Sequence, residues 1–185
     1  MIAIKKILVP ADFSDLSVPA IGYAISLAKC HHAEVIVLHV IPVEAMKQHL
    51  SAGYIAEGLV SPGEPAGGGG GHPSLERLLE TKRQLLENFL AQKLGSDLLH
   101  AAKIRPLVRF GKVVEEIVAT AKEEQSDMIV VTSHGPGLRR LFLGSFADRI
   151  TRKAPCPILL IQPSAEVRTD DDKRIAVKLI DRSAA

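Results

Sequence analysis

Two segments carry residues that could surround an anion: Ser133-His134-Gly135-Pro136-Gly137 and, a little further on, Gly144-Ser145. Just upstream, Met128-Ile129-Val130-Val131 is a short apolar, β-branched run of the kind that forms a buried parallel strand. Downstream, Ala147, Ile150, Thr151 and Ala154 recur at helical spacing. The glycines therefore sit in a strand-to-helix connection. Backbone N–H groups uncovered by glycine, together with the positive end of a helix dipole, attract anions, and a phosphate is the natural candidate. The plainer alternative is that these glycines only let the chain turn. Bond-breaking chemistry is poorly served by the same stretch. No Gly-x4-Gly-Lys-[Ser/Thr] motif is present, and no Asp or Glu stands at a spacing that would orient His134 as a base, so Ser133-His134 reads as packing. Arg139 and Arg140 read as solvated charge on a connection, and His31-His32 as cations at a helix end, so no metal site is assigned.

The elements that would position these residues alternate along the chain. Lys6 to Val9 reads as a first strand ending at Pro10. Ile21, Ala24, Ile25 and Ala28 then trace one face of a helix whose start is marked by Ser17 and Pro19. Val35 to Val40 is a second strand, apolar enough to be covered on both faces, ending at Pro42. Leu75, Leu78, Leu79, Leu85, Leu86, Phe89 and Leu90 share a helical face, and Ile104 to Val108 follows as a strand punctuated by Gly111. Val114, Ile117, Val118 and Ala121 mark the next helix, Met128 to Val131 the fourth strand, and Ile158 to Ile161 a fifth strand after the last helix. Such alternation predicts an α/β fold, an open five-stranded parallel sheet with helices on both faces. Ligands of these sheets bind beyond the carboxyl ends of the strands, where the strand order reverses. That rule brings Pro10-Ala11-Asp12, Val40-Ile41 and Thr132 to Gly137 around a common crevice.

The 185 residues suit one domain with an appended tail, and 46% hydrophobic with 24% charged residues is ordinary for a soluble globular protein. A formal net charge of +2 carries no nucleic-acid signature, and no apolar run approaches membrane-spanning length. The opening Met1-Ile2-Ala3-Ile4-Lys5-Lys6 lacks the pattern of a secretory leader, and the expected location is cytoplasmic. Cys30 and Cys156 stand far apart and read as two buried thiols. Residues 42–74 hold Pro62-Gly63-Glu64-Pro65-Ala66, the run Gly67 to Gly71 and His72-Pro73. They read as a flexible insertion, either tolerated surface or lid, with a short helix within Met46 to Leu59. The tail from residue 164 to 185 is charged around Asp170-Asp171-Asp172-Lys173-Arg174; its Ile175, Val177 and Leu179 fit an edge strand, while Ile175, Leu179 and Ile180 fit a helical turn equally well.

Over residues 1–163, the insertion apart, the chain resembles the universal stress protein family. The residues that carry the likeness are Lys6 through Ser14 with a Pro-x-Asp-x-Ser turn, Leu38-His39-Val40, Gly111 with Ile117, Asp127 through Val130, and Ser145 through Leu159 with Ala154-Pro155-Cys156-Pro157. The resemblance implies a flavodoxin-like sheet of the adenine nucleotide alpha hydrolase-like kind, a homodimer through the last strand, Ile158 to Ile161, and, in one branch, ATP binding. It further implies a binding set of Pro10, Ala11, Asp12, Ser14, Val40, Thr132, His134, Gly135, Gly137, Gly144, Ser145 and Phe146. In that set Asp12 lies beside the ribose or adenine, the Val40 backbone meets the adenine edge, and Gly135, Gly144 and Ser145 supply phosphate donors. Locally, Asp12 could equally cap a turn and Ser145 the last helix. The ATP-binding pattern of the family is Gly-x2-Gly-x9-Gly-[Ser/Thr]. Here Thr132 stands at the first glycine and eight residues, Pro136 to Leu143, separate Gly135 from Gly144. Gly137 can absorb the shortening.

Three functions fit these residues. The first is a stress-response regulatory protein binding ATP with little or no turnover, Mg2+ or Mn2+ entering only with the nucleotide. The second is a dimeric interaction scaffold without nucleotide. The third is a slow ATPase or adenylyl-transferring enzyme.

Overall fold

The computed structural model describes residues 3–45, 75–133 and 145–162, with two short pieces at 167–168 and 174–175. Its strands form where β-branched and aliphatic residues run together. These are β1 (Lys6–Pro10), β2 (Glu34–Pro42), β3 (Lys103–Gly111), β4 (Met128–Thr132) and β5 (Ile158–Ile161). Among the described residues, the helices that connect or flank them include α1 (Val18–His31), α2 (Leu75–Ala101), α3 (Val113–Glu123) and α4 (Ser145–Lys153). All five strands are parallel, in the order β3-β2-β1-β4-β5. A right-handed crossover can return each strand beside its neighbour only if the helices cover both faces, and they do. Ile21, Ala24 and Ile25 of α1 and Leu86 and Leu90 of α2 bury one face against Val9, Val35 and Val37. Val114, Ile117 and Ala121 of α3 and Ile150 of α4 bury the other against Leu8, Ile36, Leu38 and Ile129. Alternation along β2 sends Val35 and Val37 to one layer and Ile36, Leu38 and Val40 to the other, as the two-residue period requires.

The pairing is uneven. β2 and β3 match over nine residue pairs, Glu34↔Lys103 to Pro42↔Gly111, whereas β1 and β4 match over two, Ile7↔Met128 and Leu8↔Ile129. Above Leu8 the central strands part, and this is where the order of strands reverses. The amino-terminal edge is tied by charge instead. Arg105 donates to both Glu34 and Glu124, Lys6 reaches the Glu124 carboxylate at 3.5 Å, and the Asp127 carboxylate accepts the backbone N–H groups of Lys5 and Lys6 at 2.7 and 2.9 Å.

Several expectations are corrected in detail. Cys30 is exposed and Cys156 half-buried, so neither is a fully buried thiol. Cys30 lies two residues past the buried Ala28, about 200° around the helix and so on its outer side. On α2 the leucine face is narrower than the spacing predicts: Leu86 and Leu90 are buried, but Leu75 and Leu85 are exposed. Leu85 sits one residue, about 100°, from the buried Leu86. Ser17 does precede α1, with Pro19 in its first turn, yet no side-chain cap forms there. Its hydroxyl donates to the Ser14 carbonyl at 2.8 Å. In the tail, Arg174–Ile175 pairs antiparallel with Val167–Arg168, apart from the main sheet. The expected helix within Met46 to Leu59, the glycine run, Arg139 and Arg140, and Val177 and Leu179 lie outside the described residues.

Candidate functional site

At the carboxyl end of the sheet, over the gap between β1 and β4, lies a cavity of about 450 Å3. That is within the roughly 300–1,000 Å3 typical of small-molecule sites. Its walls come from five places in the sequence. The turn after β1 contributes Pro10, Ala11, Asp12, Ser14, Leu16 and Ser17, and the end of β2 contributes Leu38, His39, Val40 and Pro42. The first turns of α3 supply Val113 and Ile117, the end of β4 supplies Thr132 and Ser133, and the start of α4 supplies Phe146 and Ala147. One wall is aliphatic. The polar groups gather at the Asp12 turn and at the end of β4.

Of the residues expected at a site, Pro10, Ala11, Asp12, Ser14, Val40, Thr132 and Phe146 share this cavity. Ser145 opens α4 beside it in sequence, though its side chain is outside the described residues. His134, Gly135, Gly137 and Gly144 are outside them as well. Ser133, expected near the crevice with Thr132, also lines it, whereas sequence reasoning passed over Leu16, Ser17, Leu38, His39, Pro42, Val113, Ile117 and Ala147 as members of a binding set. Val113 and Ile117 carry no mark that separates them from any apolar helix face. His39 did carry one, as the single polar side chain inside the aliphatic run Val35 to Val40.

The turn after β1 is built with unusual definition. Asp12 Oδ1 accepts the Ser14 backbone N–H at 3.0 Å and the Ser14 hydroxyl at 2.6 Å, an Asx turn that occupies one carboxylate oxygen. The local role read for Asp12, as a turn cap, is therefore real, and it coexists with exposure of the side chain at the cavity. Ala11 is fastened to β2 twice: its N–H donates to the Leu38 carbonyl at 2.8 Å, and its carbonyl lies 2.9 Å from His39 Nδ1. A carbonyl can only accept, so Nδ1 carries the hydrogen in neutral His39 and Nε2 is the acceptor. Burial pushes the His39 imidazole below its ordinary value, outweighing the bond to Ala11. Lys82 pushes it further down, while Asp12 pulls it back up.

Phe13, next to Asp12, has a φ of 62°, in the left-handed region that a non-glycine residue enters at a cost. Its ring is held between His39, at a centroid distance of 4.2 Å, and Phe89 of α2, edge-on at 5.8 Å. The Lys82 ammonium lies 5.9 Å from the same ring. Asp15, in the single 3-10 turn that follows, pairs with Lys93 at 2.6 Å.

A doubly wound parallel sheet with a cleft at its point of reversal defines a flavodoxin-like α/β protein. The profile of the universal stress protein family matches residues 3–162, and the chain belongs to that family. It is 32% identical over 164 residues to universal stress protein MJ0531 of Methanocaldococcus jannaschii, a match that covers 85% of this chain and 82% of that one. The solved structure of hypothetical protein MJ0577 superposes with a TM-score of 0.61 at 26% identity, over 87% of this chain and 97% of that one. A universal stress protein solved in complex with cAMP shares the fold at a TM-score of 0.55 and 18% identity, over 88% of this chain and all of that one. Among the described residues no helix is long and apolar enough to cross a membrane.

Proposed function

We propose that this chain is a regulatory protein that binds an adenine nucleotide, ATP, in the cleft at the carboxyl ends of β1, β2 and β4, with little or no turnover. What supports this most is that seven residues expected at the site line one open cavity of about 450 Å3. Thr132, which stands where the ATP-binding pattern of the family has glycine, forms part of the wall without closing that space. The adenine would lie against Leu38, Val40, Val113 and Ile117. Leu38 turns its carbonyl toward β1, where it accepts from Ala11. Two residues on, Val40 directs its N–H and C=O to the same side, beyond the last β1 residue paired with β2, Pro10. Those two groups suit the donor and acceptor edge of an adenine.

Asp12 would meet the ribose hydroxyls with Oδ2, since Oδ1 is taken by Ser14. The phosphates would lie toward the start of α4, where Ser145, Phe146 and the stretch holding His134, Gly135, Gly137 and Gly144 converge in sequence. Mg2+ or Mn2+ would arrive with the nucleotide. Little turnover is expected because the histidine in the lining, His39, is engaged with Ala11 and Phe13. A universal stress protein in complex with cAMP gives the fold a precedent for an adenine ligand.

The same reading takes residues 1–163 as the working domain, places the protein in the cytoplasm, and pairs two copies through β5. Among the described residues that strand has a neighbour, β4, on one side only, and its Leu160 is 36% exposed, as an edge available for pairing would be. A non-binding scaffold is the second reading, favoured by a residue with a side chain, Thr132, at the position where the ATP-binding pattern of the family has glycine.

Calorimetric titration of ATP, with and without Mg2+, tests the proposal. Saturable binding in the micromolar range is expected, weakened about tenfold by Asp12→Ala for the loss of one charge-assisted hydrogen bond. Gly135→Val should weaken it further. No saturable binding would overturn the nucleotide reading.

A further inference from the structure

One imidazole touches both neighbours of Asp12. His39 donates from Nδ1 to the Ala11 carbonyl on one side and lies under the Phe13 ring on the other, at 2.9 Å and 4.2 Å respectively. We propose that His39 is the positioning residue of this cleft, holding the turn after β1 from behind so that the Asp12 carboxylate is presented to a bound ligand. The consequence for ligand rests on the nucleotide reading. The mechanical claim does not.

Alternation along β2 sets the geometry. Leu38 and Val40 face the α3 and α4 layer, so His39 between them faces the layer of α1 and α2, where Phe13 and Phe89 also pack. The imidazole therefore works from the opposite side of the turn to the aliphatic wall. Phe13 occupies a backbone conformation that persists only where the surroundings determine it, and such residues gather at sites where geometry matters. Here the surroundings are His39 and Phe89. Ala11 cannot tilt without breaking its bonds to two successive residues of β2, Leu38 and His39. Asp12, caught between these fixed neighbours, spends Oδ1 on Ser14 and keeps Oδ2 for a partner. Without His39 the Ala11 carbonyl and the Phe13 ring lose their common anchor, and the carboxylate samples directions away from the cleft.

Two substitutions of the same chemistry and different reach separate this role from packing. In His39→Asn the amide nitrogen falls near the place of Nδ1 and can still donate to Ala11. In His39→Gln it falls near Nε2 and cannot. ATP titration is expected to give His39→Asn within about threefold of the parent and His39→Gln about tenfold weaker, a factor worth about 1.4 kcal/mol. The Asp12→Asn substitution should then cost about tenfold in the parent but less than about threefold in the His39→Gln background, because coupled residues are not additive. Equal losses in both backgrounds, or parent-like affinity in His39→Gln, would overturn the proposal.

Two measurements need no nucleotide. Nitrogen NMR of the parent protein should find neutral His39 protonated at Nδ1, and the Nε2–H form would overturn the proposal outright. Amide exchange at Ser14, whose N–H reports the Asp12 turn, should quicken at least about fivefold in His39→Gln and stay near the parent rate in His39→Asn, and equal rates in all three would overturn it. If the parent protein binds no ATP while the tautomer and exchange results hold, the nucleotide reading fails and the positioning role of His39 stands.

Discussion

Replacing Phe13 by glycine sets two effects of the Asp12 turn against each other. Glycine removes the left-handed penalty at φ 62°, about 1 kcal/mol. It returns roughly 0.5–1 kcal/mol of that as added freedom of the unfolded chain. The ring is half-buried against His39 and Phe89. Its loss forfeits about 1 kcal/mol of apolar burial, half the value of a fully covered side chain, and about 1 kcal/mol of aromatic contact. Packing outweighs strain, and the expected result is a net destabilisation of about 2 kcal/mol, or a fall in Tm of roughly 4–8 °C for a chain of this size. Urea unfolding followed by circular dichroism reads it, the protein having no Trp for fluorescence. The midpoint should drop with an unchanged slope. Phe13→Asn, which tolerates the left-handed conformation but brings no ring, should behave like the glycine variant. A Phe13→Gly protein as stable as the parent would refute the argument that the ring cluster holds this turn.

Other consequences concern pH and the sheet edges. The His39 imidazole is held below 6.5 by burial, so the unfolded chain takes up a proton before the folded one does. Stability should therefore be level above pH 6.5 and fall as pH drops from there to the folded-state value, a slope that His39→Asn should flatten in unfolding measured across that range. Asp127 is held below 3.8 by the backbone N–H groups of Lys5 and Lys6, so its contribution is present above that value and is lost as acid protonates the folded carboxylate. Asp127→Ala should cost about 1 kcal/mol at neutral pH, discounted for its exposure, and the difference from the parent should vanish in acid titrations. Gly111 has a φ of 155°, and a Cβ there would lie 2.7 Å from Glu116 Cγ. Gly111→Ala should therefore lose about 1–2 kcal/mol in denaturant melts. Adding Glu116→Ala should recover the part due to contact and leave the part due to backbone.

The sheet was readable because its strands are aliphatic runs between turn residues, and the rule for open parallel sheets then placed Asp12, Val40 and Thr132 around one crevice. Strand ends were harder. β2 begins at Glu34, a charged residue whose backbone N–H donates to the Lys5 carbonyl and whose side chain meets Lys103 and Arg105, partners that no hydropathy pattern reveals. The part of the wall made by Val113 and Ile117 was hidden for the opposite reason, since a residue lining a pocket at a helix start looks like any residue facing a core. His39 was visible as an anomaly in an apolar strand, but its meaning depends on the left-handed Phe13 and on which way β2 turns its alternate side chains. Cys30 and Leu85 misled because a residue type that favours the interior was weighed above its angle on the helix.

The short seam between β1 and β4 gives the cleft a second significance. Three strands stand on one side of it and two on the other, joined at the centre of the sheet by Ile7↔Met128 and Leu8↔Ile129. The cavity sits where this join runs out, with Asp12 on one bank and Thr132 and Phe146 on the other. A ligand lodged there would bridge the two sets of strands where the backbone pairing of the main sheet is shortest. The gap that makes room for the cavity thus leaves the two sets of strands least joined just where both contribute to its wall.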